Sequence, residues 1–330
     1  MSIKEAVLKI LMAGHGEGIR DEDRPLVEEL RNKYAGVTFV EAGSSKEQII
    51  QVRDCEVYYG WPAREVYIAG NHLKWIHCPG TGVDELTKIP ELVASDVVVT
   101  NARGPHAPPM ADHTLGLILG LAHRLHEQRD DQREHVWDSD KYLDTFVELA
   151  GSNMGILSLG DIGTEIAKRA FGFDMNVYAV DLHPRPAPPT VKEVWGLDRL
   201  DDLLAMSDWF VVTSPITVDT VGMIDRRRLG LLKDGARVII ISRGGIVDEQ
   251  ALADELMSGR LGGAGIDAFS EEPLSDDSPF WDLPNVIVSP HSSAHTPDMT
   301  EGRRRIFVEN LRRYVAKDPF LYVVDKKAGF

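Results

Sequence analysis

The residue types that mark disulfide-rich, metal-binding or membrane-spanning proteins are scarce in this 330-residue chain. Its two cysteines, Cys55 and Cys78, make neither a disulfide framework nor a metal-binding spacing, so we expect buried thiols in a reducing cytoplasm and no metal site. The longest apolar stretch, 115–122, is too short to cross a bilayer. No cleavage pattern follows the short apolar N-terminus, which favours a first β-strand over an export signal.

Basic residues are also in deficit, with 36 lysines and arginines against 52 acidic residues and a formal net charge of -16. Such a surface repels phosphate backbones and anionic lipid, so we expect neither nucleic acid nor membrane as a partner. A local cationic site can still bind a small anionic substrate, because distant charges are screened. The length indicates two domains, and 43% hydrophobic residues suffice for two buried cores.

Apolar segments alternate with amphipathic ones along most of the chain, which predicts parallel sheets covered on both faces by helices. In the first hundred residues the predicted strands are 6–13, 38–42, 56–60, 73–77 and 96–101, with a helix at 21–34. The same rhythm resumes at residue 153. The predicted strands there are 154–158, 176–180, 209–213, 237–241, 263–266 and 286–288.

Two further helices are predicted from periodicity and capping residues. Residues 108–128 read as one long helix that begins at Pro108 and Pro109. Residues 300–316 read as a basic amphipathic helix in which Arg303, Arg304 and Arg305 form a solvated face.

A dinucleotide-binding unit is indicated by the segment 154–181, which combines a buried strand, a glycine turn, a helix and a second strand ending in an acid. Gly160 would let the backbone approach a pyrophosphate at the positive end of the helix, and Gly163 would let the helix pack on the strand. Asp181 can accept both ribose hydroxyls and would repel a 2′-phosphate, which favours NAD over NADP.

Two residues depart from the usual glycine turn. Ser158 stands where the first glycine is expected, so the fingerprint is formally incomplete, and serine can make the turn if its φ stays negative. Asp161 places a carboxylate near the expected pyrophosphate, so it either points away or lowers cofactor affinity.

Three polar residues follow buried strands, where an open α/β sheet binds its ligands. Arg243 can pair with a carboxylate and a carbonyl oxygen at once. His291 can donate or accept a proton near neutral pH, and Glu272 can orient its imidazole. This set suits hydride transfer between a nicotinamide and carbon 2 of a 2-oxo or 2-hydroxy acid.

Several motifs in one order resemble the D-isomer-specific 2-hydroxyacid dehydrogenase family, which includes phosphoglycerate, glycerate and D-lactate dehydrogenases and glyoxylate reductases. They are S-x-G-x-x-G with Asp181, S-P-I-T-V-D-T at 214–220, S-R-G-G-I-V-D at 242–248, D-A-F-S-E-E-P at 267–273 and S-P-H at 289–291. The N-terminal part adds C-P-G-T-G-V-D at 78–84 and M-A-D-H-T-L at 110–115, so the resemblance covers nearly the whole chain.

The resemblance implies a role for each matching residue. Arg243, Glu272 and His291 match the family's catalytic residues, and Thr81, Gly82, Arg243 and His291 would bind the substrate. The implied NAD-binding residues are Ser158, Gly160, Asp161, Ile162, Gly163, Asp181, Thr213, Pro215, Thr220, Ile241, Ser242, Arg243, Asp267, His291 and Ser293.

The resemblance also implies an architecture. It comprises a flavodoxin-like substrate domain at 1–100 and 295–330, a Rossmann NAD-binding domain at 101–294, and an active site in the cleft between them. Family members are usually homodimers built on the segment that corresponds here to 108–149. Glu272 replaces the glutamine of the formate dehydrogenase branch, which disfavours that activity.

Two alternatives stay open at the level of sequence. The chain could be an NAD(H)-sensing, corepressor-like binding protein with little turnover, or a dehydrogenase of amino or phosphono substrates. Candidate substrates of the favoured enzyme are glyoxylate, hydroxypyruvate, pyruvate and 3-phosphoglycerate. Arg64 or Arg103 could contact a second anionic group of the substrate.

Overall fold

A computed structural model describes residues 8–14, 18–19 and 21–330 of the chain. The chain divides into two compact units, a first unit of Met1–Pro105 with Pro297–Phe330 and a second unit of His106–Thr296. Among the described residues, no helix is both long enough and apolar enough to cross a membrane.

The first unit is built on a five-stranded parallel sheet whose strand order is β2-β1-β3-β4-β5. Its strands are β1 (Leu8–Gly14), β2 (Val37–Glu41), β3 (Val57–Gly60), β4 (Trp75–Cys78) and β5 (Val98–Asn101). Its first helices are α1 (Arg24–Lys33), α2 (Ser45–Gln51), α3 (Arg64–Ala69), α4 (Asp84–Thr87) and α5 (Pro90–Val93). This order is the flavodoxin-like one.

The second unit is built on a seven-stranded parallel sheet with the order β12-β11-β10-β9-β6-β7-β8. Its strands are β6 (Asn153–Leu157), β7 (Asn176–Val180), β8 (Glu193–Trp195), β9 (Trp209–Val212), β10 (Arg237–Ile240), β11 (Gly263–Ile266) and β12 (Val286–Val288). Its helices are α6 (Ala107–Ala122), α7 (Leu125–Arg133), α8 (Asp161–Phe171), α9 (Leu200–Met206), α10 (Arg226–Leu229) and α11 (Glu249–Met257). Six of these strands follow the Rossmann order, and β12 extends the sheet beyond β11.

Each sheet buries apolar side chains on both faces, as expected when helices cover a parallel sheet on both sides. In β1, Leu11 and Ala13 lie in one core of the first unit, whereas Ile10 and Met12 lie in the other. The predicted fold class of two doubly wound parallel sheets is therefore confirmed. Eleven of the twelve described strands agree with predicted ones to within about two residues at each end, which is the usual uncertainty of strand bounds, and β8 was not predicted. Residues 6–7 of the first predicted strand lie outside the described residues.

The prediction of one helix over 108–128 is wrong. The chain forms α6 and α7, and Arg124 between them adopts a left-handed conformation with φ 51°. The apolar periodicity of α6 stops at Ala122, and α7 buries none of its side chains, so packing on the sheet ends where the break occurs.

The prediction of a solvated arginine face at 303–305 is also wrong for Arg303. This residue lies on α12 (Pro297–Ala316) in the first unit, and its guanidinium contacts Asp23 at 3.1 Å. Only 7% of the Arg303 side chain and 4% of the Asp23 side chain are exposed. Arg304 contacts the same carboxylate at 3.2 Å, so the basic helix is tied to the start of α1 by a buried ion pair.

Candidate active site

The glycine turn after β6 has the geometry that a dinucleotide requires. Gly160 caps the N-terminus of α8, and a Cβ placed there would meet no protein atom within 4 Å. By contrast, a Cβ at Gly163 would lie 2.5 Å from the carbonyl oxygen of Ser158. Gly163 is therefore required by close packing of α8 on β6, whereas Gly160 leaves open space at the positive end of the helix, where a pyrophosphate fits.

Ser158 makes the turn without meeting the condition of a negative φ, since its φ is 79°. Its amide donates to Val180 O at 2.7 Å, and its carbonyl oxygen accepts from Thr213 Oγ1 at 2.6 Å. These bonds hold a non-glycine residue in the left-handed region, which costs on the order of 1–2 kcal/mol. The sequence could not reveal this conformation because both restraining partners are distant in the chain.

Asp181 lies at the end of β7 and already accepts hydrogen bonds from the turn. Its Oδ2 accepts from the amide of Leu159 at 2.7 Å and contacts Ser158 Oγ at 3.4 Å, while Oδ1 accepts from the amide of His183 at 2.9 Å. Asp161 and Ile162 occupy the first turn of α8, where the Asp161 side chain is exposed. The carboxylate of Asp181 therefore stands beside the turn, as binding of a ribose requires.

Five further predicted cofactor residues lie at the same edge of the sheet, after the carboxyl ends of β9 and β10, namely Thr213, Pro215, Thr220, Ile241 and Ser242. Thr213 Oγ1 bonds Leu157 O and Ser158 O, and Thr220 Oγ1 donates to Pro215 O at 2.8 Å. Ser242 Oγ donates to Val212 O at 3.3 Å, and Ile241 continues β10 through a bond from its amide to Val212 O. A nucleotide at the glycine turn would meet this edge.

His291 and Glu272 form a pair, with Nδ1 of the imidazole 2.8 Å from Oε2 of the carboxylate. The other oxygen of Glu272, Oε1, accepts from the amide of Phe269 at 3.0 Å. Because a carboxylate accepts, Nδ1 carries the proton of this bond and Nε2 is left as the atom that can exchange a proton with a ligand. Both side chains are partly exposed, at 43% and 37%.

Arg243 lies three residues beyond β10. The next residue, Gly244, packs tightly on the segment that carries Glu272. A Cβ at Gly244 would lie 1.9 Å from the carbonyl carbon of Phe269, so only glycine allows this approach. The guanidinium of Arg243 donates to Ser242 O at 2.8 Å. Arg243 and the His291–Glu272 pair therefore belong to the same edge of one sheet.

Asp267 is a fully buried carboxylate that holds the 289–293 turn, in which His291 takes a φ of 50°. Its Oδ1 accepts from Ser289 Oγ at 2.6 Å and from the amide of Ser292 at 3.0 Å, and its Oδ2 accepts from the amide of Ser293 at 3.2 Å. We call Asp267, Ser289, Ser292 and Ser293 the Asp267 cluster. A residue that the sequence left without a role joins it, because His113 Nε2 lies 2.9 Å from Ser289 Oγ. No sequence pattern pairs these two residues, which are 176 positions apart.

Thr81 and Gly82 belong to the first unit, in the 79–83 loop that follows β4. The carbonyl oxygens of Thr81 and Gly82 accept from Asn101 Nδ2 at 2.8 Å and from Trp61 Nε1 at 3.0 Å. Among the described residues, no backbone hydrogen bond is donated by the amides of Thr81 and Gly82. Two N–H groups of this loop are thus available to an anion.

Burial governs the titration of the groups that precede this loop. Burial lowers the pKa of His77 to about 3, so the imidazole is neutral in the folded chain. The thiols of Cys55 and Cys78 are free and buried, as expected, and burial raises the pKa of Cys55 to about 11 and that of Cys78 further. The described part of the chain holds no group of three or more histidine, cysteine or acidic side chains arranged to bind a metal ion.

Comparisons with known proteins agree with this geometry. Residues 115–293 match the family profile described as D-isomer specific 2-hydroxyacid dehydrogenase, NAD binding domain. A D-3-phosphoglycerate dehydrogenase of Archaeoglobus fulgidus is 33% identical over 280 residues, covering 82% of this chain and 52% of that protein. A hydroxypyruvate reductase of Thermotoga maritima is 32% identical over 247 residues, covering 74% of this chain and 78% of that protein.

A solved structure shares the fold over almost its whole length. It is a D-isomer specific 2-hydroxyacid dehydrogenase from Xanthobacter autotrophicus Py2 in complex with NADPH and MES, with 27% identity, a TM-score of 0.78 and coverage of 98% of this chain and 99% of that one. The chain spans about half the length of the phosphoglycerate dehydrogenases that it matches. From the matched profile and these relatives, the chain belongs to the D-isomer specific 2-hydroxyacid dehydrogenase family.

Proposed function

We propose that the chain is an NAD-dependent oxidoreductase that reversibly reduces a 2-oxo acid to a D-2-hydroxy acid. The observation that carries this proposal is the His291–Glu272 pair, with its 2.8 Å bond, on the same sheet edge as Arg243 and the glycine turn. The nicotinamide, when bound, supplies or accepts the hydride at carbon 2 of the acid. The second unit would then be the dinucleotide-binding domain and the first unit the substrate domain.

In the reductive direction, His291 gives the Nε2 proton of its imidazolium to the oxygen that was the carbonyl oxygen of the substrate. Glu272 holds Nδ1–H throughout, so the imidazole is fixed in orientation and ends as the neutral Nδ1–H form. In the oxidative direction, the same Nε2 takes the hydroxyl proton back. General acid–base catalysis of this kind contributes about 10²- to 10⁴-fold to the rate.

We assign the substrate carboxylate to two kinds of donor. The Arg243 guanidinium can form a bidentate pair with it, and the amides of Thr81 and Gly82 can donate to its oxygens. Charge-assisted bonds of both kinds are stronger than neutral ones and fix the orientation of carbon 2 toward the cofactor.

The contacts of two arginines in the first unit favour a substrate with a short, uncharged side chain. Arg64 is paired with the Glu91 carboxylate, and Arg103 lies over the Tyr322 ring at 5.6 Å. Their guanidinium groups, which could have bound a second anionic group, therefore already have partners within the first unit. Glyoxylate, hydroxypyruvate and pyruvate fit this arrangement better than a phosphorylated acid.

NAD is the cofactor that the second unit fits, because Asp181 puts a negative charge beside the ribose position at the turn. A 2′-phosphate would bring at least one further negative charge toward this carboxylate. We therefore expect NADH to be preferred to NADPH.

We also propose that the protein is a homodimer built on residues 108–149, which comprise most of α6 and the segment after it, and that it acts in the cytoplasm. Exposed apolar side chains are concentrated there, with Trp137 exposed at 98% and Leu143 at 73%. Light scattering should give the mass of two chains for the wild type and that of one chain for Trp137→Ser with Leu143→Ser. Ile50→Ser, which removes an exposed apolar residue of the first unit, should leave the dimer intact. A wild-type mass of one chain would contradict the dimer.

The activity is tested by NADH oxidation with a panel of glyoxylate, hydroxypyruvate, pyruvate and 3-phosphohydroxypyruvate, repeated with NADPH. We expect turnover of at least one unphosphorylated acid, and a fall in kcat of about 10³-fold in His291→Gln with NADH binding retained. His295→Gln is the control for loss of an exposed histidine nearby. NADH binding without oxidation of any acid would reject the proposed activity and support a sensing role.

A further inference from the structure

His113 lies in the second turn of α6 and ends a chain of hydrogen bonds that reaches the turn of His291. Its Nε2 lies 2.9 Å from Ser289 Oγ, and Ser289 Oγ lies 2.6 Å from Asp267 Oδ1. A serine hydroxyl has one proton, and a carboxylate can only accept it. The Ser289 proton is therefore given to Asp267, and His113 must donate its Nε2–H to Ser289.

The Asp267 carboxylate connects Ser289, which precedes His291, to the backbone that follows His291. It accepts from the amides of Ser292 and Ser293, and the backbone oxygen of Asp267 accepts from the amide of His291 at 2.9 Å. His291 has a φ of 50°, a conformation that is unfavourable for a residue with a side chain. The bonds made by Asp267 therefore maintain a backbone conformation that the chain would otherwise leave.

We propose that His113 is a positioning residue, which fixes Ser289 and through it the Asp267 cluster and the aim of the His291 imidazole. This inference rests on the proposed function, because it assigns His113 to the proton transfer that His291 performs there. Without the His113 donor, Ser289 keeps its bond to Asp267 but loses the contact that fixes its hydroxyl oxygen against α6. The 289–293 turn then samples backbone conformations in which Nε2 of His291 points away from the reacting oxygen.

Helix packing alone does not require a histidine at this position. The His113 side chain is 28% exposed, so an aromatic ring of similar size could fill the same space. A purely structural role predicts that His113→Phe preserves the site, whereas the positioning role predicts that it does not. His113→Gln retains a donor that can reach Ser289 and serves as the conservative replacement.

The kinetic test compares His113→Phe, His113→Gln and Ser289→Ala with the wild type. We expect His113→Phe and Ser289→Ala each to lower kcat by about tenfold or more, with the Kd of NADH within about twofold of the wild type. His113→Gln should recover most of kcat, and the double variant His113→Phe with Ser289→Ala should be no slower than the worse single variant. Equal losses in the phenylalanine and glutamine variants, or additive losses in the double variant, would overturn the proposal.

Hydrogen–deuterium exchange gives a readout that does not depend on turnover. Amides at 289–293 should exchange faster in His113→Phe and Ser289→Ala than in the wild type or in His113→Gln, because local openings become less costly. His123→Phe is the matched control, since His123 is an exposed histidine that follows α6, about 15 Å along the helix axis from His113. A wild type that turns over no 2-oxo acid would reject the proposed function, and exchange would still decide whether His113 restrains the turn. Unchanged exchange in His113→Phe would overturn the proposal.

Discussion

The two loops assigned to the substrate both follow parallel strands, yet each unit holds its loop in a different way. In the second unit, the 289–293 turn is held by a buried side chain, because Asp267 accepts from one hydroxyl and two amides. In the first unit, the 79–83 loop is held by its own carbonyl oxygens, which accept from Asn101 and Trp61. The first arrangement orients the His291 side chain, to which we assign the proton transfer, and the second leaves two backbone N–H groups without a backbone acceptor among the described residues.

The difference shows that similar sheet edges can supply different chemistry. A turn held by a carboxylate uses its amides internally and presents the side chain of His291. A loop held through its carbonyl oxygens presents amides and needs no charged side chain of its own. Substitutions that remove the holding group should therefore affect kcat in the second unit and substrate KM in the first.

Among the substitutions that test this comparison of the two loops, the largest effect is expected for Asp267→Asn. The carboxylate now accepts hydrogen bonds from three donors, whereas an asparagine has one acceptor oxygen. The NH2 group of the asparagine would also face the amide of Ser292 or Ser293, so two donors would meet without an acceptor. We expect kcat to fall by about 10²-fold or more, with substrate KM changed far less. Steady-state kinetics with the best 2-oxo acid measures this. A loss confined to KM would contradict the division of roles between the two loops.

Lowering the pH should destabilise the first unit through His77. This residue lies on β4, the strand that precedes the 79–83 loop. The folded chain keeps this imidazole neutral down to a pKa of about 3, whereas the unfolded chain binds a proton below its usual pKa of 6.5. Between these values the unfolded state binds one more proton at this residue, so His77 alone lowers the free energy of unfolding by up to about 1.4 kcal/mol for each unit of decrease in pH.

A His77→Phe variant removes this titration and keeps an aromatic ring beside Tyr59 and Phe307. Urea midpoints at about pH 7 and about pH 5 should therefore differ less in the variant than in the wild type. If the variant lost its neutral-pH stability, the protection of the β4 amides in the wild type, taken relative to the unstructured chain at each of the two pH values, would give the answer. An equal shift of the midpoint in both proteins, or protection of the β4 amides that is the same at both pH values, would show that His77 does not make the stability of the first unit depend on pH.

A smaller effect is expected for Trp61→Phe in the first unit. The indole donates to Gly82 O, and its ring packs so closely on the loop that a Cβ at Gly80 would lie 2.9 Å from Cζ2. Phenylalanine keeps part of this contact and loses the donor. We expect substrate KM to rise by about tenfold while kcat changes little, because carboxylate binding weakens equally in the ground and transition states.

The matched control is Trp281→Phe, which removes a bond of the same kind, from Nε1 to Ser275 O at 2.9 Å, in the second unit. Its kinetic constants should equal those of the wild type within error. If both tryptophan variants raised KM alike, the effect would be a general loss of stability and would not belong to the 79–83 loop.

Sequence reasoning placed most strands and the His291–Glu272 pair, because apolar runs and short motifs are local signals. It missed features whose cause lies elsewhere in the chain. The burial of Arg303 depends on Asp23, 280 positions away, and the break at Arg124 depends on where α6 stops packing on the sheet. Strand β8 is only three residues long and follows a proline-rich stretch, so it has no recognisable strand period.

The smallest effect is expected at Ser158, in the glycine turn after β6 of the second unit. The strain in this turn lies in the backbone, because Ser158 has a positive φ. Ser158→Gly removes the cost of a positive φ but loses the 3.4 Å contact with Asp181 Oδ2 and increases the entropy of the unfolded chain. We expect a gain of at most about 1 kcal/mol in the free energy of unfolding and a Kd for NADH within about threefold of the wild type. Urea unfolding and NADH fluorescence titration measure the two quantities. A destabilised glycine variant would mean that the contact of the Ser158 hydroxyl with Asp181 outweighs the backbone strain. The glycine turn would then depend on a serine that bonds a carboxylate, as the 289–293 turn does through Ser289 and Asp267.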